Sequence, residues 1–314
     1  MKRRGNPLMT PGRRTFLSVV DVILFALDAR IPRTSIRVAR KYLSPRKFVY
    51  VLTRTDLADP AATRSWIAAL ESEGKPAFGV QANTGEGMKE LLAFLRSERE
   101  RLNRTRPPGT LERPLKLMVF GLPNVGKSSI INRLVGRVRA PAGAKPGLTR
   151  GIHWIRCGEE FLLLDTPGVL EPGAVKGDTL MALAATGAIP EARYDPLEVA
   201  LWLIERLAPA KPGGVPDEFG FRASFSADLE AAEPVRSGDS RELLTGEPTV
   251  LQDAAGPPPK PALLFLEQFG RETGQVKKGG EVDLTRAAQL YLARFRKGEF
   301  GPVTLELPDE GIPR

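Results

Sequence analysis

An eight-residue segment, Gly121-Leu-Pro-Asn-Val-Gly-Lys-Ser128, restricts the folds open to this chain more than any other feature. It follows an apolar run at 115–120 that indicates a strand, and it leads into a helical pattern at 127–134. Its glycines allow backbone amides to turn inward around an anion, and the helix N-terminus adds its positive end. The segment and its flanks therefore predict a loop that binds phosphate groups.

Side chains in this loop have the chemistry that phosphate and metal binding require. Lys127 can reach the outer phosphates of a nucleotide, and the Ser128 hydroxyl can bind Mg²⁺. The other residues of the loop that we expect to contact the nucleotide are Asn124, Val125, Gly126 and Ser129.

Strand and helix patterns alternate along the first half of the chain. Strands are indicated at 19–27, 48–52 and 77–80, helices at 35–43, 61–70 and 88–102, and a hairpin at 152–164. This alternation predicts an α/β fold of the phosphate-loop NTPase kind, with a doubly wound, mostly parallel sheet. The ligand site of such a sheet lies at the carboxyl ends of its strands.

A second phosphate-sensing element is indicated by Asp165-Thr-Pro-Gly168, which ends an apolar strand 37 residues after Ser128. Asp165 offers a carboxylate near the Mg²⁺ shell, and the amide of Gly168 can sense the terminal phosphate. Alone, these four residues are a common turn, but the preceding phosphate loop favours a switch. The Thr149 hydroxyl can complete the Mg²⁺ shell when the terminal phosphate is present.

A loop that recognises a purine base belongs after the strand at 48–52, where the chain has Thr53-Arg54-Thr55-Asp56. A carboxylate at Asp56 accepts hydrogen bonds from the ring N–H and the exocyclic amine of guanine, a donor pair that adenine lacks. A strand followed by Thr and Asp is more often an ordinary strand end, so the assignment is a hypothesis. After the next strand, Gln81 and the amide of Ala82 are placed to support the base.

Composition excludes several other chemistries. Cys157 is the only cysteine and His153 the only histidine, which excludes a disulfide framework, a thiolate zinc site and paired-imidazole metal motifs. The longest apolar run, at 22–27, is far shorter than the roughly 20 residues that cross a bilayer. We expect a soluble, cytoplasmic protein that has no membrane partner.

Positive charge is concentrated in two parts of the chain. The net charge is +9, and residues 1–50 carry 12 basic and 2 acidic side chains, while residues 101–150 carry 11 and 1. These windows favour a nucleic-acid partner. Arg-rich N-termini are also typical of mitochondrial import sequences, but the strand pattern that begins by Val19 leaves no room for a cleavable helix.

Two domains are predicted. Residues 1–178 form the nucleotide-binding domain, with a basic linker at about 103–114, and residues 179–314 form a small all-helical domain. That domain has helices at 196–207 and 263–269, a flexible acidic insertion at 209–261, and a last helix capped by Asp283. The basic face of the last helix either contacts RNA or is simply solvated; it consists of Arg286, Arg294 and Lys297.

The order of these elements resembles that of the circularly permuted ribosome-assembly GTPases, because the base-reading element precedes the phosphate loop. Four further segments resemble motifs of that family: Asp28-Ala-Arg-Ile-Pro32, Pro146-Gly-Leu-Thr-Arg150, Lys277-Lys-Gly-Gly-Glu-Val-Asp283 and Thr304-Leu-Glu306. The resemblance covers nearly the whole chain except roughly 210–260.

The resemblance implies GTP and GDP binding with Mg²⁺, and GTP hydrolysis that is slow without the ribosome. It implies the precursor of the large ribosomal subunit and its rRNA as partners of a monomeric protein. Lys127, Thr149 and Gly168 are the residues expected at the reacting phosphate, and Asn124 resembles the residue that helps to hold K⁺ in related GTPases.

This chain departs from the family at several positions. Thr53 and Arg54 stand where the family has Asn and Lys, and Gln81 stands where it has Ser. The nearest match to an N-terminal segment linked to hydrolysis, Pro11-Gly12-Arg13-Arg14, lacks its histidine, and His153 is expected to be structural. A nucleotide-gated RNA-binding module with negligible hydrolysis therefore remains the alternative. An ATP-dependent kinase would need an acceptor site, for which the sequence gives no sign.

Overall fold

The computed structural model describes residues 19–39, 48–136, 154–164, 175–207 and 261–308. The strands are β1 (Val22–Asp28), β2 (Phe48–Thr53), β3 (Ala77–Val80), β4 (Leu115–Gly121), β5 (Trp154–Cys157) and β6 (Phe161–Leu164). The α-helices are α1 (Pro32–Ala39), α2 (Pro60–Ser72), α3 (Met88–Arg104), α4 (Lys127–Val135), α5 (Gly177–Ala185), α6 (Pro196–Leu207), α7 (Pro261–Glu272) and α8 (Leu284–Lys297). A short 3₁₀ helix, Thr55–Leu57, follows β2.

The strands form one sheet in the order β3-β2-β1-β4-β6-β5. All neighbouring pairs are parallel except β5 and β6, which form the predicted antiparallel hairpin. Every residue of β1 and β2 is buried, as expected for central strands covered by helices on both faces. The predicted α/β fold with a mostly parallel sheet is confirmed.

Strand register brings the predicted motifs to one edge of the sheet. Asp28 at the end of β1 pairs with Thr53 at the end of β2, and Ala26 pairs with Gly121 at the end of β4. The loops that follow β1, β2 and β4 therefore start beside one another. This is the edge at which a parallel sheet binds its ligand.

Local differences from the sequence prediction have physical reasons. Helix α1 begins at Pro32, three residues before the predicted start, because proline is well suited to the first turn of a helix. Helix α5 was not predicted, since its run of alanines and other buried apolar residues has no amphipathic period. Pro261, assigned to the acidic insertion, is the first residue of α7. The rest of that insertion lies outside the described residues.

Arginines in and next to the basic linker are held by carboxylates. Arg113 forms two hydrogen bonds of 2.9 Å to the carboxylate of Asp21, and Arg99 donates to Glu112 at 2.6 Å. Pairing reduces the positive field that these side chains present to a polyanion. The linker is thus less of a basic surface than its composition suggests.

The chain divides into two compact units, but not at the predicted boundary between 178 and 179. The first unit comprises residues 1–194 and 295–314, and the second comprises residues 195–294. The C-terminal segment returns to the first unit, where Leu305 N–H donates to the Arg30 carbonyl at 2.8 Å. No local sequence pattern encodes such a return.

The described part of the second unit is helical and has an aromatic core. Tyr291 packs edge-on against Phe269, with ring centroids 5.4 Å apart. Asp283 caps α8, as predicted, by accepting a hydrogen bond of 3.1 Å from the Arg286 N–H. The Arg294 guanidinium lies 5.4 Å from the Phe269 ring centroid, so this member of the predicted basic face packs within its own unit.

No helix in the described parts of the chain combines the length and the apolar character that crossing a bilayer requires.

Candidate nucleotide-binding site

The phosphate loop connects the end of β4 to the start of α4, as predicted. Asn124 and Gly126 have left-handed backbone conformations, with φ of 55° and 91°. A Cβ atom at Gly126 would lie 3.3 Å from the Thr53 side chain, so glycine permits the loop to approach β2 closely. This close approach joins the loop to the part of the chain predicted to read the base.

Lys127 is the first residue of α4, and its Nζ donates a hydrogen bond back to the Leu122 carbonyl. Burial lowers the pKa of Lys127 to about 8, because removing an ammonium group from water disfavours its charged form. A polyphosphate beside this amine would restore the preference for the charged form. The residue is therefore placed for a bound anion.

Ser128 occupies the second position of α4, where its side chain is exposed. Hydroxyl oxygen is a suitable ligand for Mg²⁺, which usually keeps few protein ligands and completes its shell with phosphate oxygens and water. No group of three or more His, Cys, Asp or Glu side chains within the described ranges could hold a metal ion. The Ser128 hydroxyl is thus one ligand that suits a Mg²⁺ ion bound together with a nucleotide.

Thr53 connects the two halves of the candidate site. Its hydroxyl lies 2.9 Å from the Leu27 carbonyl and within hydrogen-bonding distance of the Val125 carbonyl in the phosphate loop. Because a hydroxyl has one hydrogen, it donates to one of these oxygens at a time. A threonine at this position therefore ties the end of β2 to the phosphate loop.

A buried ion pair lies directly beside Thr53. The guanidinium of Arg30 donates to both carboxylate oxygens of Asp28, at 3.0 and 2.8 Å, and Arg54 Nη1 lies 3.6 Å from Asp28 Oδ2. Burial alone raises the pKa of Asp28, but Arg30 and Arg54 outweigh it, so this pKa lies below its ordinary value. Arg54 has a left-handed backbone, with φ of 55°, and its side chain is directed to Asp28.

The predicted base readers Asp56 and Gln81 line the same cavity. Its volume is about 660 Å³, and Asp56 enters its wall from the 3₁₀ helix after β2, while Gln81 follows β3. The wall also contains apolar side chains, among them Ile67 and Phe78. Ala82, which was expected to support the base, is not one of the lining residues. The structure therefore brings Asp56 and Gln81 together and leaves Ala82 outside this wall.

Arg133 of α4 is a residue of this region that the sequence did not reveal. Its guanidinium donates to the Thr84 carbonyl, in the loop that contains Ala82. That loop is closed by two backbone hydrogen bonds, Gln81 N–H to Glu86 O at 3.0 Å and Gly85 N–H to Gln81 O at 2.8 Å. Helix α4 thus contacts both the phosphate loop and the loop after β3. An arginine in the last turn of α4 gives no sequence signal of this contact.

Asn124, the candidate K⁺ ligand, has a hydrogen-bond partner elsewhere in the first unit. Its Nδ2 donates to the Gly187 carbonyl at 2.8 Å, just after α5. Asp165, Gly168 and the segment 146–150, which contains Thr149, lie outside the described residues. His153 lies outside them as well.

The fold and these loops define the class of the domain. A mostly parallel sheet carries a phosphate loop after β4 and a base-reading candidate after β2, and the latter comes first in the chain. This is a phosphate-loop nucleotide-binding domain with a permuted motif order. Residues 116–207 match the protein family described as "50S ribosome-binding GTPase".

Relatives that match over most of their length indicate a particular type of protein within this class. Ribosome biogenesis GTPase A of Bacillus cereus is 27% identical over 296 residues, which cover 94% of this chain and 88% of the relative. The protein of the same name from Thermotoga maritima is 26% identical over 300 residues, with coverages of 96% and 91%. These matches and the fold support a circularly permuted GTPase of the ribosome biogenesis GTPase A type.

Solved structures share the fold. The structure of GDP-bound YlqF superposes with a TM-score of 0.61 at 23% identity, covering 94% of this chain and 98% of that one. GNP-bound YlqF from T. maritima gives a TM-score of 0.58 at 22% identity, with coverages of 94% and 96%.

Proposed function

We propose that this chain binds GTP and GDP and hydrolyses GTP as an assembly factor for the large ribosomal subunit. One observation carries the proposal: the Thr53 hydroxyl, at the start of the base-reading loop, contacts the Val125 carbonyl of the phosphate loop. The two halves of a nucleotide site are thereby adjacent, although 72 positions separate these residues. The names of the relatives support GTP hydrolysis and a role in ribosome assembly.

The proposed reaction is attack of water on the terminal phosphate. Lys127 binds the outer phosphates, and the amide of Gly168 contacts the terminal one. Ser128, Thr149 and Asp165 are the proposed Mg²⁺ ligands. When bound, Mg²⁺ supplies positive charge that offsets the charge developing on the phosphate oxygens.

Guanine recognition is assigned to Asp56, with Thr53, Arg54, Gln81 and Ala82 around it. The carboxylate of Asp56 would accept from both the ring N–H and the exocyclic amine of guanine, and adenine offers no such pair. The remaining phosphate-loop residues proposed to contact the nucleotide are Asn124, Val125, Gly126 and Ser129.

The proposal also includes a K⁺ ion at Asn124. The Nδ2 atom of this side chain donates to the Gly187 carbonyl, so Oδ1 is the atom for a cation. A monovalent cation there would offset charge on the phosphates as an arginine side chain does in other GTPases. Turnover measured in KCl and in NaCl tests this part, because equal rates would remove it.

The proposed partners are the large-subunit precursor and its rRNA, and the protein is proposed to act as a monomer in the cytoplasm. The net charge of +9 supports a polyanionic partner. The helical second unit is the proposed RNA-contacting part, through Arg286.

Calorimetry with GTP and ATP tests nucleotide recognition. The wild-type protein should bind GTP much more tightly than ATP. Asp56→Asn should weaken GTP binding by about 10- to 100-fold, because one or two hydrogen bonds to a charged group are lost, and it should leave weak ATP binding unchanged. Lys127→Ala should reduce binding of both. Equal affinities for GTP and ATP, or no heat from either, would contradict the proposal.

Turnover measurements separate hydrolysis from the alternative of a nucleotide-gated RNA-binding module. Phosphate release should be slow for the protein alone and faster when large-subunit precursors are added. Nucleotide-dependent binding to the particles without any increase in turnover would instead support the alternative. The relatives are named GTPases, which favours hydrolysis.

A further inference from the structure

Residues 303–306, near the C-terminal end of the described residues, lie on the loops that follow β1 and β2. Val303 N–H donates to the Leu57 carbonyl at 3.0 Å, and Leu305 N–H donates to the Arg30 carbonyl at 2.8 Å. Val303 and Leu305 are each 7% exposed, so these backbone contacts are shielded from water. The segment therefore joins the loop that contains the predicted base reader to the loop that follows β1.

Thr304 is placed between the same two loops. Its Oγ1 accepts a hydrogen bond of 3.1 Å from the Asp59 N–H and lies 3.5 Å from the Ala29 carbonyl. Asp59 in turn caps α2, because its Oδ1 accepts from the Ala62 N–H at 2.7 Å. Thr304 thus fixes the point at which the base-reading loop enters α2.

Glu306 anchors the segment independently of that loop. Its carboxylate accepts from the Thr34 N–H at 3.0 Å and from the Thr34 hydroxyl, and its carbonyl accepts from Trp66 Nε1 at 2.8 Å. Both the carboxylate and the indole are buried. Hydrogen bonds in such a site are worth more than those exposed to water. The segment can therefore act as a rigid support.

The loop that it supports has little rigidity of its own. Asp56 is exposed and belongs to a three-residue 3₁₀ helix, Thr55–Leu57. The internal hydrogen bonds of this turn are Leu57 N–H to Arg54 O at 3.0 Å and Ala58 N–H to Thr55 O at 3.4 Å. After Asp56, Val303 donates a hydrogen bond to the Leu57 carbonyl, and Thr304 accepts one from the Asp59 N–H. These two hydrogen bonds equal in number the two that the turn makes internally. The position of the Asp56 carboxylate therefore depends on the C-terminal segment.

We propose that Thr304 is a positioning residue for guanine recognition: it holds the loop after β2 so that the Asp56 carboxylate meets both donors of the base. The inference rests on the proposed function, because it assigns a support to the base reader of that site. It extends the nucleotide site to a segment more than 240 positions away in the chain.

The variant Thr304→Val removes the oxygen that accepts from Asp59 and keeps the shape of the side chain. Dissociation constants for GTP and ITP are measured by calorimetry for the wild type, Thr304→Val and Thr304→Ser. Inosine lacks the exocyclic amine, so ITP makes one hydrogen bond fewer to Asp56. We expect Thr304→Val to weaken GTP binding by about three- to tenfold and ITP binding by less than about twofold. Thr304→Ser should retain the wild-type preference.

Thr273→Val is the matched control. The Thr273 hydroxyl donates to the Phe269 carbonyl at 2.7 Å in the second unit, so the same chemical change is made away from the base-reading loop. It should leave the GTP-to-ITP preference at the wild-type value, even if it lowers the melting temperature.

A folded Thr304→Val that keeps the wild-type GTP-to-ITP ratio would overturn the inference, and so would equal losses for both nucleotides, which indicate a structural role alone. Should Thr304→Val not fold, Thr304→Ala removes the same acceptor, and its ratio decides in the same way. A wild-type protein that binds GTP and ATP equally would contradict the proposed function itself. A different result would be a wild-type protein that prefers GTP and a Thr304 variant that keeps this preference. That result would contradict only the inference about Thr304.

Discussion

Thr53 stands where the family that this chain resembles has Asn, and it still connects the two halves of the candidate site. Its hydroxyl approaches the Val125 carbonyl, so a threonine provides a link between the base-reading loop and the phosphate loop. The sequence identified the position and the substitution. It could not identify the partner of the hydroxyl, because that depends on how close the glycine-containing loop comes to β2.

Replacing Thr53 by valine should weaken the binding of GTP and GDP by about three- to tenfold, since the phosphate loop loses a hydrogen bond that fixes it before the ligand arrives. Thr53→Ser should retain most of the affinity. Thr110→Val is a suitable control, because the Thr110 hydroxyl donates to Pro107 in the exposed linker. Calorimetry checks all three, and wild-type affinity in Thr53→Val would show that the link is not needed for binding.

Asp28 and Arg30 make a second residue-scale prediction possible. Asp28→Asn should lower the free energy of unfolding by about 3–5 kcal/mol, because it leaves the fully buried Arg30 guanidinium without its counter-charge. Urea unfolding at pH 7 measures the loss. Truncating both residues together, as Asp28→Ala with Arg30→Ala, should cost less than the sum of the two single changes, whereas an additive result would contradict the coupling.

The same pair predicts a pH dependence. The folded-state pKa of Asp28 lies below its ordinary value of 3.8, so its contribution to stability is present above that value and is lost as pH falls through the lower folded pKa. The difference in stability between the wild type and Asp28→Asn should therefore shrink below about pH 4. A difference that grows with acidity would contradict the assigned direction.

At the scale of elements, strands were predicted well because central strands of a parallel sheet are continuous apolar runs. The bounds predicted for β3 and α6 agree with the structure, and those of β2, β4 and α4 differ by one residue at one end. Helix α5 escaped prediction because, after Asp178 in its first turn, its residues are apolar or small on every face, so no periodicity distinguishes it. Periodicity reports an element only where one of its faces meets water.

The junction between β3 and α3 offers an element-scale test. Gly87 has φ of 71°, and a Cβ atom there would lie 1.9 Å from the Gly79 carbonyl oxygen of β3. Gly74 has nearly the same φ, 74°, with nothing within 4 Å of such a Cβ atom. The two glycines therefore share one backbone requirement and differ in the space around them.

Gly74→Ala should lower the free energy of unfolding by about 1–2 kcal/mol through the left-handed backbone alone. Gly87→Ala should lower it by about 2–3 kcal/mol more, because the backbone of β3 or the start of α3 must move. Urea unfolding of the two variants gives the comparison. Equal losses would mean that the close approach of α3 to β3 does not constrain this junction.

At the scale of the whole molecule, the chain leaves the first unit at residue 194 and re-enters it at 295 within α8. The resemblance to the family identified the segment Thr304-Leu-Glu306. Neither the motif nor the composition of this segment revealed that it packs on the base-reading loop. The contacts join residues 240 to 275 positions apart, such as Trp66 with Glu306 and Ala29 with Thr304. Local patterns cannot report pairs of this separation.

Charge across the whole molecule governs the last prediction. The net charge is +9, and binding to the proposed ribosomal RNA partner should release counterions, so the affinity should fall as salt is added. Several arginines of the first unit are already paired, among them Arg96 with Glu160 and Arg113 with Asp21. The salt dependence should therefore be shallower than the number of basic residues suggests.

Sedimentation with large-subunit precursors measures this affinity in the presence of a GTP analogue or GDP. KCl is kept constant and NaCl is varied, because K⁺ is also proposed at Asn124. Between roughly 50 and 200 mM total salt the affinity should fall by at least about tenfold. Binding should be stronger with the analogue than with GDP, since the amide of Gly168 is proposed to sense the terminal phosphate before the chain continues towards the second unit. An affinity that changes with neither salt nor nucleotide would contradict the proposal that the protein binds RNA and that the bound nucleotide controls this binding.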